Sequence, residues 1–334
     1  MSGVSELNKQ GLDRIEKVLN GKENYYRGFV NFMNDSSVQT RYYYLCHVCA
    51  FMECVNKEPS TLTFDDFNNY MMKISYKEDG SMMTSSYRIN IYSALKKFNE
   101  YLCVSGKLNK NTQFFMRDIK RPKQKESKET IEKREKSFLT EREIQKCVDQ
   151  IDSYMDSDQS GWIFRDKAII YTLLTTGIRN SALRALDVGD VDLKNNTLTV
   201  TDKGGKVKTY QMSENLACAI DNWLIVRDVL ADPEMYEEGK YQETNALFIS
   251  QRRTRMSTVA LNKVVQKYAS EIDGKHITPH KLRATYGTQL YNKTGDIYFV
   301  QQCMGHSNPK TTELYVREKK QNTKRASEIM DKLL

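Results

Sequence analysis

No stretch of this 334-residue chain is long and apolar enough to cross a bilayer, and its first residues, Met1-Ser2-Gly3-Val4-Ser5-Glu6, lack a signal-peptide pattern. Those absences predict an intracellular, cytoplasmic protein that engages no membrane. A disulfide framework is missing as well: the seven cysteines are odd in number and irregular in spacing, which excludes the small stapled scaffolds of secreted proteins. Cys46-His47-Val48-Cys49 has the outline of a metal or redox motif, but no second ligand pair follows at zinc-site spacing. It falls in a helical stretch where small apolar side chains recur at core positions, so its cysteines are read as packing. There is no P-loop and no acidic metal cluster, so neither a nucleotide nor a metal is expected as cofactor. What the composition does supply is positive charge. Lys and Arg number 51 against 43 Asp and Glu, a formal net charge of +8. In a hydrophilic chain that excess points to a polyanionic partner, nucleic acid first.

The length allows two domains, each with its own core. Residues 1 to 22 make a short polar helix at most. From Tyr25 to Val104 apolar residues recur at helical steps. One helix spans about Tyr25 to Met33, and a second about Ser37 to Val55, striped by Tyr44, Leu45, Val48, Phe51 and Met52. A third is opened by Thr63, with Asp65 and Asp66 in its first turn, and runs to about Ile74. Ser85 or Ser86 opens a fourth, carrying Ile91, Leu95, Phe98 and Leu102. The apolar pattern stops between Asp118 and Ser137, where Lys120-Arg121-Pro122-Lys123-Gln124-Lys125 begins a basic run that continues through Arg134 and Lys136. Such a run serves as a solvated tether or crosses a phosphate backbone. The spacing therefore predicts a helical module over residues 1–118, a linker over 119–137 and a larger domain over 138–334.

In that larger domain Thr140-Glu141-Arg142-Glu143 is a capping box for a helix to about Ile151. A helix from about Ile163 to Leu174 is apolar nearly all round and should be central to the core; Gly177 ends it and leaves Arg179 at the start of the next. Thr197–Thr201 and Val207–Tyr210 read as a hairpin with Lys203 and Lys206 at its tip. Thr278-Pro279 is an N-cap with proline in the first helical position, and His280 and Arg283, three apart, share a face of that first turn. A guanidinium and an imidazole at a helix N-terminus favour an anion, and arginine can grip two phosphate oxygens at once. Ile297, Phe299, Val300 and Met304 mark a helix ending at Gly305. A further helix, capped by Ser307 or Asn308 with Pro309 in its first turn, should follow and can bring His306 and Tyr315 to the same patch.

Arg179, Lys203, His280, Arg283, His306 and Tyr315, in this order, resemble the active-site set of the tyrosine recombinase (phage integrase) family. The resemblance covers nearly the whole chain. It implies a mainly α fold with a small β-hairpin or sheet in the catalytic domain, arranged as a helical core-type DNA-binding domain (1–118), a basic interdomain linker (119–137) and a catalytic domain with a C-terminal tail helix (138–334). It further implies site-specific strand exchange on double-stranded DNA through a 3′-phosphotyrosyl link to Tyr315 and a Holliday junction, as in mobile-element integration and excision. Arg179 and Arg283 would stabilise the phosphate charge, with His280 and His306 hydrogen-bonding the same oxygens. Lys203 would protonate the departing 5′ oxygen, and Lys206 is the fallback. The linker residues Lys120, Arg121, Lys123 and Lys125 would lie on the DNA backbone. The acting species would be a homotetramer on DNA, with possible accessory DNA-bending proteins, and no cofactor.

Two positions depart from the family pattern. Ala182 stands where an acidic residue is often found after the first Arg, and Ala284 follows Arg283 where His is common. After Tyr315 the tail turns polar, then carries Ala326, Ile329, Met330, Leu333 and Leu334 at helical steps. That stripe must bury itself, on its own domain or, as the resemblance implies, on a neighbouring subunit. Two other classes stay open on these residues: a type IB topoisomerase-like relaxing enzyme, and a DNA-binding regulator with a silent site.

Overall fold

The structure, a computed structural model, describes residues 3–108, 119–123, 138–155, 157, 160–202, 205–232, 244–269, 272 and 275–305. The chain divides into two compact units, Ser5–Lys128 and Glu129–Leu334, the latter taking in Met1–Val4. Among the described residues no helix is long and apolar enough to cross a membrane.

The first unit is built from α1 (Gly3–Leu19), α2 (Asn24–Phe32), α3 (Val38–Val55), α4 (Phe64–Lys73) and α5 (Ser85–Val104). Local chemistry sets the starts. Ser37 Oγ accepts the Thr40 amide at the head of α3. Thr63 and Asp66 exchange bonds at the head of α4, with Thr63 N to Asp66 Oδ2 at 2.8 Å and Asp66 N to Thr63 Oγ1 at 3.4 Å. Thr84, not Ser85 or Ser86, caps α5, because its hydroxyl accepts the Tyr87 amide three residues on. The first helix is longer than a polar segment has reason to be, since Ile15 and Leu19 are buried in the same core as Phe29, Leu45, Phe51, Phe67 and Phe98. Phe29 and Phe98 meet edge to face with ring centroids 5.2 Å apart. Val48, Cys49 and Ile119 pack into this core too.

In the second unit, α7 (Trp162–Thr176) is central and packs against α6 (Glu141–Met155), α9 (Glu214–Leu230) and α11 (Pro279–Thr294). Ile163, Ala168, Ile169, Ile170 and Leu173 are its buried apolar residues. It is not apolar all round, however. Arg165 and Asp166 are buried beside them and pair at 2.6 Å; Arg165 Nη1 also donates to Ile249 O at 3.0 Å, and Asp166 accepts the Tyr268 hydroxyl at 2.9 Å. The remaining helices are α8 (Asn180–Ala185), α10 (Thr258–Tyr268) and α12 (Ile297–Met304). The Thr140 capping box forms, and its helix runs on to Met155.

The hairpin pairs β2 (Thr197–Thr201) with β3 (Val207–Gln211), and a third strand, β1 (Val191–Asp192), adds to β2. The antiparallel register sets Leu198 opposite Tyr210 and Val200 opposite Lys208. Leu198 and Val200 are buried, so Tyr210 and Lys208 share the inward face while Val207, 65% exposed, points out.

Between α9 and α10, Ala246–Ile249 is buried without belonging to a helix or strand. Its carbonyls therefore need partners from elsewhere. Arg227 Nε donates to Ala246 O at 2.9 Å, Trp223 Nε1 to Leu247 O at 2.8 Å, and Arg165 Nη1 to Ile249 O at 3.0 Å. Trp223→Phe keeps most of the apolar area and strands the Leu247 carbonyl, so it should cost about 1–3 kcal/mol in urea unfolding. A loss under about 0.5 kcal/mol would show that this bond contributes no net stability.

Candidate active site

The site residues converge at helix ends. Helix α7 stops at Gly177, whose φ of 60° is left-handed. A Cβ there would stand 2.2 Å from the Tyr286 ring, so glycine is required by both backbone and space. The chain turns, and Arg179 becomes the N-cap residue of α8. Its Nη1 pairs with Asp202 Oδ2. Asp202 closes the hairpin tip: its amide donates to Lys206 O at 2.7 Å and its carbonyl accepts the Gly205 amide at 3.1 Å.

Helix α11 starts as its sequence dictates, with Thr278 accepting the Lys281 amide and Pro279 in the first turn. Arg283 then turns inward, to 3% exposure. Its Nη1 donates to Gly177 O and its Nη2 to Met304 O, the latter at 2.7 Å. Both acceptors lie at helix C-termini, where carbonyls lack intrahelical partners and the dipole favours a cation. His280 stays at the exposed edge of the same turn. Its pKa is held below the usual imidazole value, first by partial burial and then by the charges of Arg283 and Arg179. The ring is therefore neutral at pH 7, able to donate at one nitrogen and accept at the other.

The same two guanidiniums act on Tyr210. Burial pushes its phenol up, while Arg283 and then Arg179 oppose that rise. Lys208, two residues earlier on the same face of β3, lies 4.5 Å from the Tyr210 ring centroid. It donates to Gln302 O at 2.8 Å and to Cys303 O at 2.7 Å. Arg179, His280, Arg283, Lys208, Tyr210 and Asp202 thus form one cluster, assembled from the starts of α8 and α11, the hairpin and the end of α12. Of these, Arg179 and His280 lie where an anion can approach, Arg283 and Lys208 donate to helix-end carbonyls, and Asp202 is the counterion of Arg179.

Of the residues singled out in the sequence, the structure brings Arg179, His280 and Arg283 together. His280 and Arg283 do not share a face: Arg283 is drawn inward by the two carbonyls while His280 remains outside. Lys206 is exposed at the hairpin tip. Lys120, Arg121 and Lys123 are exposed, in the Ser5–Lys128 unit. Lys203, His306, Tyr315 and Lys125 lie outside the described residues, as do the helix expected after Gly305 and the tail stripe. Sequence reading missed Asp202, Lys208 and Tyr210. The signal for the last two was the two-residue alternation of β3, which puts them on one face. Ala182 is buried in the core, so no carboxylate reaches Arg179 from α8; Asp202 supplies one from the hairpin. Ala284 packs against Val300 and Met304. Among the described residues no three His, Cys, Asp or Glu side chains gather as a metal-binding set.

The family model described as the phage integrase family matches residues 137–322. The chain belongs to the phage integrase family. This integrase-family chain is 33% identical over 173 residues to tyrosine recombinase XerC of Alcanivorax borkumensis, covering 50% of the chain and 53% of the relative. It is 30% identical over 226 residues to XerC of Shewanella amazonensis, covering 67% of each. The chain spans about half the length of the first curated relatives it matches. Its fold is shared with XerH site-specific recombinase bound to difH substrate in a pre-cleavage complex, at a TM-score of 0.60 and 19% identity over 88% of this chain and 79% of that one. A lambda integrase(75-356) dimer bound to a COC′ core site is similar at a TM-score of 0.56 and 17% identity, over 93% and 96% of the two chains.

Gly177→Ala tests how the Arg179 turn is built. A left-handed alanine should cost about 1–2 kcal/mol and the overlap with Tyr286 about 1–3 kcal/mol more in chemical unfolding. In a Tyr286→Ala background only the first cost should remain. Equal costs in both backgrounds would remove Tyr286 as the reason for glycine.

Proposed function

We propose that the protein is a site-specific DNA recombinase that cleaves and rejoins double-stranded DNA through a 3′-phosphotyrosyl intermediate on Tyr315. The observation that carries this reading is the convergence of Arg179, Arg283 and neutral His280 at two helix starts, within the segment matched by the family model. A phosphodiester gains negative charge on its non-bridging oxygens as a nucleophile adds, and preorganised donors stabilise that charge without reorganising. Arg179 and Arg283 fill that role, with His280 and His306 donating to the same oxygens.

In the forward step the Tyr315 oxygen bonds to phosphorus, and its proton passes to His280. The P–O5′ bond breaks, and Lys203, or Lys206, gives its proton to the departing oxygen. The phosphotyrosyl ester keeps the bond energy, so a 5′-hydroxyl from another strand can attack it and restore the diester while tyrosine leaves. A Holliday junction is the intermediate between the two rounds of exchange. Neither step consumes a nucleotide. The helical unit binds the core of the site, and the basic run holding Lys120, Arg121, Lys123 and Lys125 lies along the backbone. Exchange between two duplexes needs four nucleophiles, so the acting species is a homotetramer on DNA, with accessory DNA-bending proteins where the sites lie apart.

Tyr315→Phe should retain specific binding and lose covalent trapping on a nicked suicide duplex built on the sequence that the protein selects from a random pool. An adduct formed by the Phe variant would reassign the nucleophile. The depressed pKa of His280 sets a pH expectation as well. Its basic form persists below the ordinary imidazole value of about 6.5, so single-turnover cleavage should stay flat from pH 8 to about 6.5 and fall at lower pH. His280→Gln should be slow and lose that acid limb. A rate that climbs as pH drops below about 6.5 would make the imidazolium the active form.

A further inference from the structure

We propose that Lys208 is a positioning residue of this reaction, fixing the end of α12 from which His306 follows in the chain. The inference rests on the function proposed above. Helix α12 is short, and its last carbonyls have few intrahelical donors. The Gly305 amide serves Gln301 O and Gln302 O. Cys303 O is held by Lys208 Nζ at 2.7 Å and Met304 O by Arg283 Nη2 at 2.7 Å, while Gln302 O also receives Lys208 at 2.8 Å. Two cations from two different elements, β3 and α11, therefore close the negative end of one helix, and they do so at the residues preceding Gly305. Gly305 itself is left-handed, with φ 63°, and ends the helix there.

The placement of Lys208 is costly for any lesser purpose. It is opposite Val200, on the inward face of the sheet. Burial and the nearby Arg283 charge both press its pKa down, against the Cys303 thiol, which raises it. An apolar side chain of the same length would cover Val200 and face Tyr210 without that desolvation. What it could not do is satisfy two carbonyls. Arginine could, since its fork also carries several donors. Donors to a developing phosphate charge act only when held in place, and a displacement of about 1 Å costs on the order of 100-fold in rate. Lys208 is proposed to touch no reacting atom and to act through the end of α12, which His306 follows in the chain.

The test uses the full chain and single-turnover cleavage of a nicked suicide duplex carrying the selected site. Lys208→Met should slow cleavage at saturating DNA by about 10- to 100-fold while leaving the DNA dissociation constant within about 2-fold, because binding does not depend on the placement of one donor. Lys208→Arg should return to within about 3-fold of the parent, which also keeps the test open if the methionine variant folds poorly. In a His306→Ala background, Lys208→Met should add nothing, since residues that act through one another are not additive. A substrate with sulfur in place of the bridging 5′ oxygen has a leaving group that needs no proton. It should rescue Lys203→Ala and leave Lys208→Met slow. Rescue of Lys208→Met by that substrate would make Lys208 a proton donor and overturn the proposal. Fully multiplicative effects of Lys208→Met and His306→Ala, or unchanged cleavage by Lys208→Met, would overturn it equally. A parent protein that never forms a covalent adduct would instead overturn the function on which the proposal stands.

Discussion

The buried guanidinium of Arg283 is the constraint on which the second unit depends. By donating to Gly177 O and Met304 O it ties the end of α7 to the end of α12, two helices far apart in sequence. Arg179 follows the first of those carbonyls by two residues, and Gly305-His306 follows the second directly. A buried arginine is tolerated because its planar fork meets acceptors that would otherwise be orphans, so the desolvation of the cation is offset by that of the carbonyls it serves. The pairing also explains why the first turn of α11 is divided, with Arg283 inside as a brace and His280 outside.

The same economy recurs through the unit. Arg165, Arg227 and Arg255 are buried, and each donates to main-chain carbonyls of irregular backbone or a helix end: Ile249, Ala246 with Thr244, and Arg184 in the last turn of α8 with Leu186. Arg255 also pairs with Asp187 at 2.5 Å. Helices and strands satisfy their own peptide groups, whereas the stretches joining them here are buried without a ladder. Arginine supplies the missing donors at several points from one side chain. Among the described residues of this unit, these buried carbonyls thus have donors although they belong to no ladder.

Much of this was legible in the chain because the signals are local. Ser37, Thr63, Thr140 and Thr278 cap helices through bonds spanning three residues, and Gly177 and Gly305 stop them by adopting left-handed backbone; neither needs tertiary information. The hairpin was readable from its two β-rich runs and glycine tip. Strand β1, two residues long, carries no periodicity to read. Ala246–Ile249 reads as a plain apolar run, since its partners come from Trp223, Arg227 and Arg165 on other elements. In β3 the usual rule inverts, with Val207 outside and Lys208 within, because the acceptors that draw the lysine inward belong to α12. Among the site residues, the helix start at Thr278-Pro279 with His280 and Arg283 pointed to an anion site, and Arg179 was joined to it through the resemblance. Asp202 was invisible, because its importance arises only where the α8 start and the hairpin tip approach.

That approach gives Arg179 a resident counterion. A basic side chain that neutralises a DNA phosphate frees a cation condensed on the DNA, and this release makes nucleic-acid affinity fall steeply with salt. In the proposed complex Arg179 would leave Asp202 as it takes the phosphate, and the bared carboxylate would hold a cation in place of the one freed from the DNA. Its contribution to the salt dependence of binding would therefore be smaller than that of an exposed lysine such as Lys120. The proposed function thus gives positive charge two uses: exposed residues that would make attachment sensitive to ionic strength, and an internally neutralised arginine whose engagement would depend on geometry.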